Sequence, residues 1–126
     1  MREVIHSERS PKAVGPYSQA IRAGKFVFTS GQLPIDPASG QIVDGGIISQ
    51  TRQVLENLKA VLDAAGTDLS QVAKATVYLK NITDFATFNQ EYAEYFAMEP
   101  PARSAFQVAA LPMDALIEID VVALVE

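Results

Sequence analysis

The sequence has no cysteine and no tryptophan, and its single histidine is His6. Without cysteine there is no disulfide, no thiolate nucleophile and no cysteine-ligated zinc or iron–sulfur centre. One histidine excludes a two-histidine acid–base pair, and a Ser-His-Asp arrangement survives only if His6 serves it. His6 reads as a strand residue without chemistry. No cluster of His, Asp and Glu stands at metal-ligand spacing, and no phosphate loop of the G-x-x-x-x-G-K-S/T or G-x-G-x-x-G type is present. Neither a metal nor an organic cofactor is expected. Long apolar runs are missing as well: nowhere do 18 apolar residues follow one another, so no membrane-spanning helix is expected. Met1-Arg2-Glu3-Val4 does not read as the start of a secretion signal. These features point to the cytoplasm. Positive charge is scarce too, since 10 Lys and Arg against 15 Asp and Glu give a net charge of −5. The basic residues are scattered singly, whereas a nucleic-acid binder needs a basic face to displace counterions. RNA or DNA is therefore not expected as the main partner.

The 126 residues suffice for one domain, residues 1–126, with a core of its own. The apolar fraction, 48%, is high for so short a chain, so some of that surface is expected to be buried against other subunits. Val4-Ile5-His6 reads as a short strand. Gln19 to Arg22 and Lys25 to Ser30 read as a hairpin turning at Ala23-Gly24. Ile47 to Ala65 is the clearest helix. Ile47, Ile48, Val54, Leu55, Leu58, Val61, Leu62 and Ala65 recur at three- and four-residue steps, and Gly66 supplies the stop. Val72 to Lys80 alternates, with Ala73, Ala75, Val77 and Leu79 on one side. Thr83 is placed to cap a second helix whose stripe is Phe85, Phe88, Tyr92 and Phe96. Arg103 to Val108 and Ile117 to Val125 read as the last strands. Two helices cannot cover both faces of such a sheet, so an α+β layer with both helices on one face is expected. The final strand has an apolar side (Ile117, Ile119, Val121, Ala123, Val125) and a mixed side (Glu118, Asp120, Val122, Leu124). The mixed side is a candidate subunit contact.

Chemistry is left to carboxylates, arginines, tyrosines, amides and the backbone. Arg103 follows two prolines at the start of a strand, and its fork suits bidentate binding of a carboxylate. A surface arginine fits the same position. Glu118 sits between Ile117 and Ile119; burial would raise its pKa and suit it to proton transfer, whereas an outer face would leave it solvated. Asp120 lies on the same side and is an alternative. Tyr17 lies in a loop, as an anchor, a lid or a packing residue. Asn89 flanks the stripe of the second helix.

Pro101-Ala102-Arg103-Ser104-Ala105-Phe106-Gln107-Val108-Ala109-Ala110-Leu111-Pro112, followed by Ile117-Glu118-Ile119-Asp120, resembles the signature of the RidA family (YjgF/YER057c/UK114). Gly15-Pro16-Tyr17-Ser18-Gln19-Ala20, Thr29-Ser30-Gly31-Gln32-Leu33-Pro34, Thr51-Arg52-Gln53-Val54-Leu55-Glu56-Asn57-Leu58 and Phe85-Ala86-Thr87-Phe88-Asn89 resemble its other motifs, in order along nearly the whole chain. The resemblance implies a chorismate-mutase-like fold, a homotrimer with clefts between adjacent subunits, and cofactor-free 2-iminobutanoate/2-iminopropanoate deaminase activity. It implies that Arg103 binds the substrate carboxylate and Glu118 positions or activates water, with Tyr17, Ser30, Gly31 and Asn89 lining the pocket. Ala105 stands where the family often has cysteine; the family uses the main chain there, so the site should survive and only thiol-based regulation is lost. The short segment between Phe96 and Pro101 would alter the cleft rim. Two other functions remain open on the sequence: a non-catalytic binder of small carboxylates, for which Glu118 is a poor fit, and an endoribonuclease, an activity also attributed to the family.

Overall fold

A computed structural model describes residues 1–126. Four strands come from the first and last thirds of the chain: β1 (Arg2–Ile5), β2 (Ala20–Ala23), β3 (Phe26–Thr29) and β6 (Ile117–Leu124). Helix α1 (Gly46–Ala64), strand β4 (Val72–Leu79), helix α2 (Phe85–Tyr95) and strand β5 (Ala102–Gln107) lie between them. The six strands form one sheet in the order β1-β2-β3-β6-β4-β5. All pairs are antiparallel except β4 with β5, which are joined through α2 as parallel strands require. No helix is long and apolar enough to cross a membrane.

The last strand occupies the centre of the sheet. Its alternation decides what is buried. Ile117, Ile119, Val121 and Ala123 point to the helices and are buried, as are Ala75, Val77 and Leu79 of β4. They meet Val54, Leu55, Leu58, Val61 and Leu62 of α1 and Phe88, Tyr92 and Phe96 at α2 in one core cluster. Each fully buried Leu or Val there contributes about 1.5–3 kcal/mol. Helix α1 ends at a Schellman motif: Gly66, at φ 86°, donates to Asp63 O, and Thr67 donates to Leu62 O. Both helices lie on one face of the sheet, as the layer argument requires.

The opposite face carries no helix. Register places Phe26 beside Leu124, Phe28 beside Val122, and Tyr78 beside both Phe106 and Glu118. Phe26, Phe28, Phe106 and Leu124 are each between 41 and 46% exposed, a large apolar area to leave in water.

Local departures from the sequence reading have physical causes. A β-bulge between Val72 and Lys74 turns Ala73 outward, so Val72 rather than Ala73 continues the buried row. Thr83 caps nothing; it lies in a 3₁₀ turn, Ile82–Asp84, that leads directly into α2. Ile48 is exposed, while Ile47 packs partly against the core. The first strand runs from Arg2 to Ile5 and excludes His6, whose side chain pairs with Glu8.

Two buried amides tie the loops to this frame. Asn57 of α1 donates to Leu33 O at 3.1 Å and Ile35 O at 2.9 Å. Gln19 accepts from Ser7 N and donates to Ser7 O, Ser10 Oγ and Pro11 O, which anchors the segment leading to Tyr17. Replacing Asn57 by alanine strands two carbonyls. We expect Asn57→Ala to lower unfolding stability by about 2–3 kcal/mol, seen as a lower urea midpoint at an unchanged slope.

Candidate functional site

The first group of candidate residues gathers around Glu118. This side chain leaves the centre of the sheet on the open face, because its neighbours Ile117 and Ile119 take the core side. Gln32 and Ile119 exchange backbone hydrogen bonds of 2.8 and 3.2 Å, which presses Gly31 against the Glu118 side chain. A Cβ on Gly31 would overlap Glu118 Oε2 and come within 2.8 Å of its carboxyl carbon. Only glycine fits with the carboxylate as placed. Ser30 is held by its own bonds: N to Gln19 O at 2.9 Å and Oγ to Ser18 O at 2.6 Å. Tyr17 is exposed on the loop before it, with its hydroxyl accepting weakly from Val14 N at 3.4 Å.

Burial pushes the Glu118 carboxyl above the usual carboxylate range, and the charge of Asp120 on the same face adds to the rise. Asp120 accepts a hydrogen bond of 2.8 Å from Tyr78 Oη. The Tyr78 phenol is itself pushed up to about 12, by burial first and then by Asp120, so it remains a donor. Asp120 is thus committed to Tyr78, and Glu118 is the half-buried carboxyl whose proton affinity is raised.

The second group gathers around Arg103. Arg103 pairs in register with Ala75, and Ala105 with Val77, so both point to the helix side of edge strand β5. Arg103 Nη1 donates to Asn89 Oδ1 at 2.8 Å. A guanidinium only donates, so Asn89 must turn its oxygen to it, and the Asn89 NH₂ group remains free to donate elsewhere. No carboxylate stands within ion-pair distance of Arg103. Ala105 packs its methyl against the core.

Arg103 and Glu118 therefore stand on opposite faces of the same sheet. Tyr17, Ser30 and Gly31 go with Glu118, while Asn89 and Ala105 go with Arg103. Within one chain the two groups do not converge. A cleft of about 540 Å³ borders the first group, lined by Val14, Tyr17, Gly31, Leu33, Pro112 and Met113. A larger cavity, about 730 Å³, lies elsewhere between Arg9, Glu56, Asp63 and Asp68 and holds none of the candidate residues. Few of its walls are apolar. Phe85, Phe88 and Tyr92 belong to the apolar stripe that the sequence predicts for the second helix, and they pack in or against the core. All three also ring the Arg103 guanidinium, and their i, i+3, i+7 spacing beside Asn89 was the available signal.

A mixed six-stranded sheet with two helices on one face, and a carboxylate and an arginine held out from it, has the chorismate-mutase-like architecture of small RidA-type proteins. The chain matches the Endoribonuclease L-PSP family over residues 7–125 and belongs to it. It is 59% identical to the RutC family protein PH0854 of Pyrococcus horikoshii, over 98% of each chain. It is 47% identical to the 2-iminobutanoate/2-iminopropanoate deaminase of Bos taurus, covering 98% of this chain and 90% of that one. The solved structure of YyfA from Yersinia pestis, described as a protein of unknown function of the conserved Rid family, superposes with a TM-score of 0.96 at 45% identity, covering 99% of this chain and 100% of that one.

The two causes of the raised Glu118 pKa are separable. We expect Asp120→Asn to lower the Glu118 midpoint, but not to the ordinary carboxylate value, because burial is the larger cause. A ¹³C NMR titration of the glutamate carboxyls would read this.

Proposed function

We propose that the chain hydrolyses small 2-imino acids, 2-iminobutanoate and 2-iminopropanoate or their enamine tautomers, to 2-oxo acids and ammonia, so protecting PLP enzymes from these products. The site forms between copies of the chain in a homotrimer. One copy contributes Arg103, Asn89 and the main chain at Ala105. Its neighbour contributes Glu118, Gly31, Ser30 and Tyr17.

The observation that carries this reading is the unneutralised Arg103 charge. Its Nη1 binds a neutral amide, and no carboxylate competes for the remaining N–H donors. A substrate carboxylate is the partner such a fork accepts in two parallel bonds. Glu118 suits the second half of the reaction. With its proton affinity raised, the ionised carboxyl accepts a proton from water as the water oxygen bonds to C2 of the imine. The resulting carbinolamine takes that proton on nitrogen. Glu118 then takes the hydroxyl proton and passes it to nitrogen as the C–N bond breaks, so that NH₃ leaves and the oxygen becomes the carbonyl of the 2-oxo acid. Such imines already hydrolyse in water, so a base worth about 10²–10⁴-fold, aided by orientation, is enough.

The split across two faces supports assembly between copies. The open face offers Phe26, Phe28, Phe106 and Leu124 as apolar contact area beside Glu118. The deaminase name carried by the Bos taurus relative supports the substrate class. The net charge of −5 and a lone histidine bonded to Glu8 favour this reading over RNA cleavage.

In a threonine dehydratase-coupled assay, followed by 2-oxobutanoate release under semicarbazide competition, Arg103→Ala should lose its acceleration. Glu118→Gln should retain affinity for a substrate analogue and hydrolyse slowly. If analogue binding falls and turnover per bound site does not, Glu118 is structural. Refolding the two variants together in equal amounts should restore about a quarter of wild-type activity, since one site in four then draws an intact Arg103 and an intact Glu118 from different copies. A mixture no more active than either variant would refute a site shared between copies.

A further inference from the structure

Phe85, Phe88, Asn89 and Tyr92 stand at i, i+3, i+4 and i+7 on α2, so one helix face delivers all four side chains to the same point. That point is the Arg103 guanidinium. Its Cζ lies 5.4 Å from the Phe85 ring centroid, 5.3 Å from Phe88 and 4.9 Å from Tyr92. Three ring faces at this range attract a cation through their quadrupoles. The rings also brace one another: the Phe85–Phe88 and Phe88–Tyr92 centroids are 6.2 and 5.2 Å apart. Phe88 and Tyr92 are buried, so the platform is fixed by the core.

A carboxylate can fix an arginine through two parallel hydrogen bonds. A carboxylate partner would occupy the fork and cancel the charge that a substrate anion must feel. Aromatic faces hold the cation without occupying its N–H edge. Tyr92 adds no negative charge, because burial pushes its phenol ionisation up and keeps it neutral.

We propose that Phe85, Phe88 and Tyr92 are positioning residues for substrate binding, an aromatic platform that fixes the Arg103 guanidinium while leaving its charge and most of its donors to the substrate carboxylate. This rests on the reading of Arg103 as the carboxylate-binding group. The platform orders the fork before the substrate arrives, so its effect falls on affinity rather than on the hydrolytic step at Glu118.

The test uses the full chain with Phe85, the least buried of the three, replaced in two ways. Phe85→Leu removes the ring; 3,4,5-trifluorophenylalanine at position 85 keeps the ring's shape and removes the negative potential of its face. Binding of 2-oxobutanoate is measured by calorimetry and imine hydrolysis by KM and kcat. Both variants should bind 2-oxobutanoate about threefold to tenfold more weakly, with KM raised to match and kcat held. Phe85→Trp should restore wild-type affinity. Should the fluorinated protein bind as tightly as wild type while Arg103→Ala does not bind, the ring is mere packing and the platform is refuted. Undiminished binding by Arg103→Ala would overturn the carboxylate reading and the platform with it.

Discussion

The pleat of β6 governs this molecule. Side chains along a strand alternate strictly between faces, and β6 lies between β3 and β4 at the middle of the sheet. Ile117, Ile119, Val121 and Ala123 must all go to the helices for the core to exist. Glu118 and Asp120 are then fixed on the far side, since a slip of one residue would bury two carboxylates and expose four aliphatic side chains. The same logic runs through β4 into β5 and sends Arg103 to the helix side. The separation of the arginine from the glutamate is thus a consequence of core formation, and it is what leads the proposed site to draw on more than one copy.

The two groups solve opposite electrostatic problems. Arg103 is surrounded by groups that attract a cation without neutralising it, which suits the carboxylate-binding role proposed for it. Glu118 is half withdrawn from water and placed beside a second carboxylate, which suits the proton-transfer role proposed for it. Gly31 makes the withdrawal possible by giving up its side-chain volume to the carboxyl group. Asn89 serves the arginine with one end of its amide and leaves the other end free.

The sequence was most legible where one period ran unbroken. The stripe of α1 and the alternation of β6 exposed their own buried faces, because burial on one side leaves a regular trace in residue type. Strand β4 was readable until the bulge at Ala73, which inserts a residue and resets the phase without any change in composition. Thr83 has the chemistry of a cap, but the chain enters α2 through a 3₁₀ turn that needs none. Strand β5 was the least legible. Ala102 to Gln107 has no clear apolar side, so the direction in which Arg103 points is set by its pairing with Ala75, a contact 28 positions away. The resemblance to RidA proteins picked out Arg103 and Glu118, but not the faces they occupy. The closeness of Gly31 to Glu118 and the second use of the aromatic stripe are long-range facts of the same kind.

The insertion of the latest strand between two earlier ones has a consequence for how the chain is made. Until residues 117–124 have been synthesised, β3 and β4 each present an unpaired edge, and the hairpin of β2 and β3 has no strand pairing with β4 or β5. A nascent chain lacking only this strand holds two half-sheets that cannot join. Completion of the sheet must therefore wait until residues 117–124 have emerged, and chains truncated before them carry sticky edges that invite aggregation.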